Sequence, residues 1–206
     1  SFNFRQIMDE KKILLVNLSK GRLGDINASL IGLVLVGKIT MAALSRVDMF
    51  GTGKKPNDFY LYIDEFQNVT TPSIASILSE ARKYRLSLNV AHQYISQLSE
   101  EIKNAVFGNV GIMAVFRVGQ EDAEFLEKKF QPTFSAQDIT RLDNRNAYVN
   151  MLVNGQPTKP FNIETLPLDG GNIAMAEQLK ELSYLKYGAP REEVETEIMA
   201  RFRQQG

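Results

Sequence analysis

Residues 59–66 read Phe-Tyr-Leu-Tyr-Ile-Asp-Glu-Phe, five apolar or aromatic residues running into two adjacent carboxylates, Asp64 and Glu65. A short continuous apolar run of this kind predicts a β-strand with helices over both faces. The acidic pair then falls at the strand's carboxyl end, where open α/β sheets bind their ligands. Charges cannot be buried there without partners, so the tip must face solvent, a cation or hydrogen-bond donors.

Outward from that strand the chain alternates. Residues 12–18 (KILLVNL), 87–91 (SLNVA) and 111–118 (GIMAVFRV) also read as strands. Between them lie helical stretches: Asp25 as an N-cap to about Arg46, Thr71-Pro72 to about Tyr84, 95–106, and a charged amphipathic stretch at 121–130. Strand–helix alternation predicts a mostly parallel sheet flanked by helices. Residues 147–153 and 159–163, joined through Asn154-Gly155, read as a β-hairpin. Past Pro167 two helices, 172–187 and 191–204, form a tail. The expected division is therefore 1–166 and 167–206, the tail packing on the domain or on a neighbour.

The chemistry of the acidic tip has two readings. In nucleoside triphosphatases an Asp so placed holds magnesium through its water shell, and the next Glu orients and polarises the attacking water. Alternatively the Asp caps the following turn. A second polar strand end, His92-Gln93, follows the apolar run at 87–91. The Gln93 amide can donate to a terminal phosphate oxygen and accept from a water, or it can cap the helix after Tyr94. His92 reads as structural, with no second histidine in the chain.

Composition narrows the field. Lys plus Arg and Asp plus Glu number 24 each, so the net charge is zero and wholesale phosphate neutralisation is not indicated. The absence of cysteine excludes disulfides and thiolate metal sites and suits a reducing cytosol; one histidine excludes a multi-histidine site. The apolar stretch 28–44 is interrupted by Lys38 and Thr40. A membrane span needs about 20 predominantly apolar residues, so a buried core helix is expected. A magnesium nuclease built on Asp64 and Glu65 would want a third carboxylate or a lysine at the same rim, and none is evident.

Four blocks taken in order carry a resemblance: 12–24 (KILLVNLSKGRLG), 59–68 (FYLYIDEFQN), 78–93 (LSEARKYRLSLNVAHQ) and 109–123 (NVGIMAVFRVGQEDA). Together they resemble the HerA–FtsK superfamily of hexameric DNA-pumping ATPases. Within it they are most similar to conjugative coupling proteins of the TraG/TraD type and to type IV secretion ATPases. The resemblance, over about residues 5–165, implies a RecA-like P-loop fold, ATP and Mg2+ as ligands, and DNA as cargo. It also implies a ring of subunits and relaxosome or secretion-channel proteins as partners. Asp64 and Glu65 match the Walker B pair, Asp64 serving magnesium, and Gln93 matches the motif III phosphate sensor. Arg82 matches an arginine projected into the neighbouring subunit's site; its other reading is a solvated helix end, with Lys83. Arg117 is a candidate phosphate or interface contact, or a partner of Asp122. A non-catalytic assembly or docking module is the competing function.

The family's phosphate loop, G-x-x-x-x-G-K-[ST], is not in this sequence. Gly51-Thr52-Gly53-Lys54-Lys55 lacks the first glycine and the Ser/Thr, and it joins a helix to a strand rather than the reverse. The chain alone is therefore expected to be without appreciable ATPase activity. The resemblance puts the loop's strand between 87–91 and 111–117, so the isolated chain is expected to pair those two edges directly, to associate with another copy, to be only marginally stable, or to take a strand from outside residues 1–206. A cytoplasmic setting is expected, with any membrane attachment lying upstream.

Overall fold

The computed structural model describes residues 3–70, 74, 77, 80–168 and 170–203. β1 (Phe59–Ile63) pairs in parallel with β2 (Leu86–Val90), Phe59 facing Leu86 and Ile63 facing Val90. The pairing runs on beyond the strands: the Ala91 amide donates to the Ile63 carbonyl and the Phe66 amide to the Ala91 carbonyl, each at 2.9 Å. Phe59, Leu61 and Ile63 pack against the core, whereas Tyr60 and Tyr62 are exposed, so β1 is covered on one face only.

That core is closed by α1 (Phe4–Asp9) and the long α2 (Asp25–Leu44). In α2 the buried residues Ala28, Gly32, Val36, Ile39 and Ala43 recur every three or four positions, which defines one helical stripe. Val36, Ile39 and Ala43 join Phe66, Val69, Ile74, Ile77 and Leu86 in one cluster. The opposite stripe, Ile26, Leu30, Val34 and Met41, is exposed. The expected core helix is thus buried along one face. Asp25–Met49 is also long and apolar enough to cross a membrane. Asp25 is the first helical residue rather than the cap, a place taken by Gly24. Beyond α2 a 3₁₀ turn buries Arg46 completely. Its guanidinium donates to the carbonyls of Asn57 (2.9 Å) and Tyr84 (3.1 Å) and lies 3.4 Å from an Asp9 oxygen. It therefore ties the helix end to the segments that feed β1 and β2.

A second sheet is antiparallel. β3 (Ile112–Val115) pairs with β4 (Asn146–Val153), which also pairs with β5 (Gln156–Pro157) and β6 (Phe161–Glu164). The turn from β4 to β5 has φ of 53° at Asn154 and 77° at Gly155, the two positive values that a tight I′ hairpin requires. Ile102 and Val106 of α3 (Glu100–Asn109) join the first core, whereas α4 (Gln120–Phe130) and α5 (Ala136–Thr140) accompany the antiparallel sheet. Ala123, Leu126 and Phe130 of α4 bury against Val115 and Ile139.

Three features depart from the sequence expectation. Residues 12–18 form no strand, and Ile13 and Leu15 are 89% and 86% exposed. A parallel strand needs a neighbour for its N–H and C=O groups, and neither β1 nor β2 offers its free edge to this segment. Second, among the described residues the parallel pairing is confined to β1 and β2, and β3 belongs to the antiparallel sheet. Third, β2 and β3 do not pair with each other, so among the described residues each keeps one unpaired edge. The helix expected from Thr71-Pro72 begins outside the described residues; Ile74, Ile77 and Glu80 are helical, and Ala81–Tyr84 tightens to a 3₁₀ turn. In place of one helix at 95–106, a 3₁₀ turn at Ile95–Gln97 precedes α3.

The chain divides into two compact units, Phe4–Leu166 and a smaller one holding Pro167 onward with the first three residues. The smaller carries α6 (Ile173–Tyr187) and α7 (Arg191–Arg203), neither with a buried residue; the expected end at 204 lies outside the described residues.

Candidate active site at the carboxyl rim of the parallel strands

The two strand ends converge. Asp64 and Glu65 leave β1 as Ala91, His92 and Gln93 leave β2, because the strands are parallel and in register at Ile63 and Val90. Glu65 adopts a left-handed conformation, φ 49° and ψ 46°, unusual for a residue with a Cβ. Local bonds hold it there. Its amide donates to Asp64 Oδ1 at 2.9 Å, and its carbonyl accepts from both the amide (2.9 Å) and the side-chain Nδ2 (3.1 Å) of Asn68. This turn lifts the Glu65 side chain off the strand line toward the second strand end.

There the Gln93 amide donates to Glu65 Oε1 at 2.5 Å, and Gln67 Nε2 donates to Oε2 at 2.6 Å. The acidic tip and the amide at 93 lie side by side. Asp64 is exposed, and only its Oδ1 serves the turn. A shallow depression of about 220 Å³ opens beside them, lined by Tyr62, Ile63, Asp64, Asn89, Val90 and Ala91.

Asp64 suits magnesium in a specific sense. Among the described residues no three His, Asp or Glu side chains come together. Mg2+ retains several waters and is commonly held by one or two carboxylates plus substrate phosphates, so one exposed carboxylate fits it better than a protein cage would.

The other candidates stand elsewhere. Arg82 is exposed in the 3₁₀ turn before β2, at the amino end of the strand whose carboxyl end leads to Gln93. Leu86 to Val90 is four residue steps, about 13 Å of strand. Arg82 therefore sits at the far rim from its own Glu65. Arg117 donates to the Leu142 carbonyl (3.3 Å) and Asn144 Oδ1 (3.0 Å), bracing that turn rather than meeting Asp122. Asp122 instead accepts from the Ile95 amide at 3.2 Å, anchoring the segment after Gln93. His92 is half-buried, and burial lowers its pKa below the ordinary 6.5, with Asp122 opposing the shift.

Sequence reasoning missed the residues that shape the turn. Gln67 and Asn68 lie inside the quoted 59–68 block, yet nothing in their spacing shows that Glu65 is left-handed. Lys20 donates to Asn68 Oδ1 at 3.1 Å and pairs with Asp25 at 3.3 Å. Gly32 matters by what it lacks, since a Cβ there would stand 2.5 Å from Val69 Cγ1 and 3.2 Å from Leu18 Cδ1.

Residues 58–144 match the family described as the TraM recognition site of TraD and TraG. No curated protein is similar in sequence. Among solved structures, the bacterial conjugative coupling protein TrwB in complex with sulphate is similar at TM-score 0.58 and 16% identity, covering 84% of this chain and 46% of that one. TrwB in complex with ADP and Mg2+ gives 0.56 and 16%, covering 75% and 39%. The genome packaging NTPase B204 from Sulfolobus turreted icosahedral virus 2, in complex with AMPPCP, gives 0.53 and 16%, covering 82% and 73%. Such identities speak for the fold alone. The chain spans 36% to 46% of the coupling-protein structures it matches. The chain thus shares its mixed α/β fold with these coupling-protein and packaging-NTPase structures, and its residues 58–144 are similar to the TraM recognition site of TraD and TraG.

Proposed function

We propose that this chain is the Walker B and sensor half of an ATP-driven DNA translocase of the conjugative coupling type, its phosphate loop lying upstream. The observation that carries the reading is the contact between the Gln93 amide and Glu65 Oε1 beside an exposed Asp64. A carboxylate at the carboxyl rim of a parallel pair, touched by an amide from the adjoining strand end, suits a group that works on a water near a terminal phosphate. In hydrolysis the water oxygen bonds to the terminal phosphorus while the bond to the bridging oxygen breaks, and Glu65 receives the water's proton. Asp64 would hold a hydrated magnesium ion, which would neutralise phosphate charge there. Gln93 exchanges its bond to Glu65 for one to the terminal phosphate oxygen, and so registers that phosphate. Arg82, at the far rim, acts on the neighbouring subunit's nucleotide in a ring, a hexamer by resemblance; Arg117 is left to an interface role.

The unpaired edges of β2 and β3 support a further strand supplied from outside residues 1–206, since an unpaired edge is otherwise a liability. DNA moves through the channel, and residues 94–97 are one candidate loop for gripping it. The assembly is cytoplasmic, attached to a membrane through regions outside this chain.

In the complete protein, Glu65→Gln is expected to leave ATP binding intact and to abolish turnover. Normal turnover in that variant removes Glu65 from its role and the reading with it.

A second reading has one specific observation behind it. The match over 58–144 bears the description of a TraM recognition site, which favours a docking surface for a relaxosome protein on the same segment. The two are compatible, and loss of partner capture without loss of turnover would separate them.

A further inference from the structure

We propose that Gln67 is the positioning residue for Glu65, keeping the carboxylate at the pocket rim when Gln93 releases it. This rests on the reading of Glu65 and Gln93 just given, and goes beyond it to a residue that the reading does not use. Each Glu65 oxygen has one amide partner, Gln93 on Oε1 and Gln67 on Oε2. The two donors are anchored very differently. Gln93 is exposed and follows β2 without regular structure. Gln67 is half-buried in the 3₁₀ turn Phe66–Val69, whose ends Phe66 and Val69 are 0% and 8% exposed in the core. Thr70 Oγ1 further fixes the turn by donating to the Gln67 carbonyl at 3.3 Å.

A sensor that moves to the nucleotide must let go of Glu65. The glutamate side chain has three rotatable bonds, and with no other donor its carboxylate would sample many positions. The Gln67 amide removes that freedom without blocking Oε1, which is then free to receive a water. Holding a reacting group in place contributes to rate rather than to substrate affinity.

The test uses the complete protein with its phosphate loop, comparing wild type, Gln67→Met, Gln67→Glu and Glu65→Gln. Methionine keeps the length and removes the donor; glutamate keeps the polarity and replaces the donor by an acceptor. With ATP and Mg2+, Gln67→Met is expected to lower kcat about tenfold while the Kd for a fluorescent ATP analogue and KM stay at wild-type values. Gln67→Glu is expected to lose at least as much, and it is read alone if the methionine variant does not fold. Within Glu65→Gln, adding Gln67→Met should change the residual rate no further. An unchanged kcat in a folded Gln67 variant overturns the proposal, as does a rise in Kd matching the fall in rate, which would mark a general disturbance of the site. If Glu65→Gln itself turns over normally, the functional reading fails, and that outcome is distinct from a Gln67 failure alone.

Discussion

Two glycines on one helix give opposite predictions. Gly32 and Gly37 both lie in the interior of α2, where glycine costs about 0.8–1.0 kcal/mol relative to alanine. At Gly37 a Cβ would meet nothing within 4 Å, so Gly37→Ala should stabilise by about that amount. At Gly32 the new carbon would stand 2.5 Å from Val69 Cγ1 and 3.6 Å from Val69 Cβ. Val69 is buried, and a β-branched side chain has few alternative rotamers. The overlap must therefore be relieved by moving the helix or the turn. Overpacking of this kind costs about 1–3 kcal/mol, so after the helical gain Gly32→Ala should be neutral to destabilising by about 2 kcal/mol. The difference between the two variants is then about 1–3 kcal/mol, or roughly 2–12 °C in Tm for a chain of this size. Differential scanning calorimetry on both variants measures it. Val69→Ala should recover the loss when combined with Gly32→Ala, because it removes Cγ1. Equal Tm shifts for Gly32→Ala and Gly37→Ala would refute the close approach of α2 to the turn that carries Glu65.

Other consequences follow from single contacts. Arg46→Leu leaves the Asn57 and Tyr84 carbonyls without their donor in a buried place, and should destabilise by about 3 kcal/mol in urea unfolding. His92, held below 6.5 by burial, binds fewer protons folded than unfolded just below that pH, so stability should fall as pH drops from about 6.5 through the folded value. His92→Asn should flatten that part of the Tm–pH curve; an unchanged slope would contradict the assignment. In mixed rings, Arg82→Ala subunits should regain turnover when a neighbour supplies the arginine, and no recovery at any ratio would argue against action in trans.

The parts of this molecule that follow from local chemistry were legible in the sequence. Apolar runs gave β1 and β2, Asn154-Gly155 gave the hairpin, and the acidic and amide strand ends fell at one rim because parallel strands place successive carboxyl ends together. What stayed hidden depends on partners distant in the chain. KILLVNL has strand composition, but a strand exists only where another edge accepts its hydrogen bonds, and none is offered among the described residues. β3 pairs with β4 instead of β2, a choice that alternation alone cannot foresee. The left-handed Glu65 was also beyond reach, since glycine or asparagine is the usual signal for such a backbone and neither stands at that position. Gln67, inside the block that identified the rim, therefore went unread.

The most direct test of the rim as a working unit is a double-mutant cycle on the single-turnover rate of ATP hydrolysis, using Glu65→Gln, Gln93→Ala and their combination in the complete protein. If the two side chains act together, the double variant should be no slower than Glu65→Gln alone. Losses that simply multiply would mean that the two groups work independently, and the shared pocket would have to be abandoned.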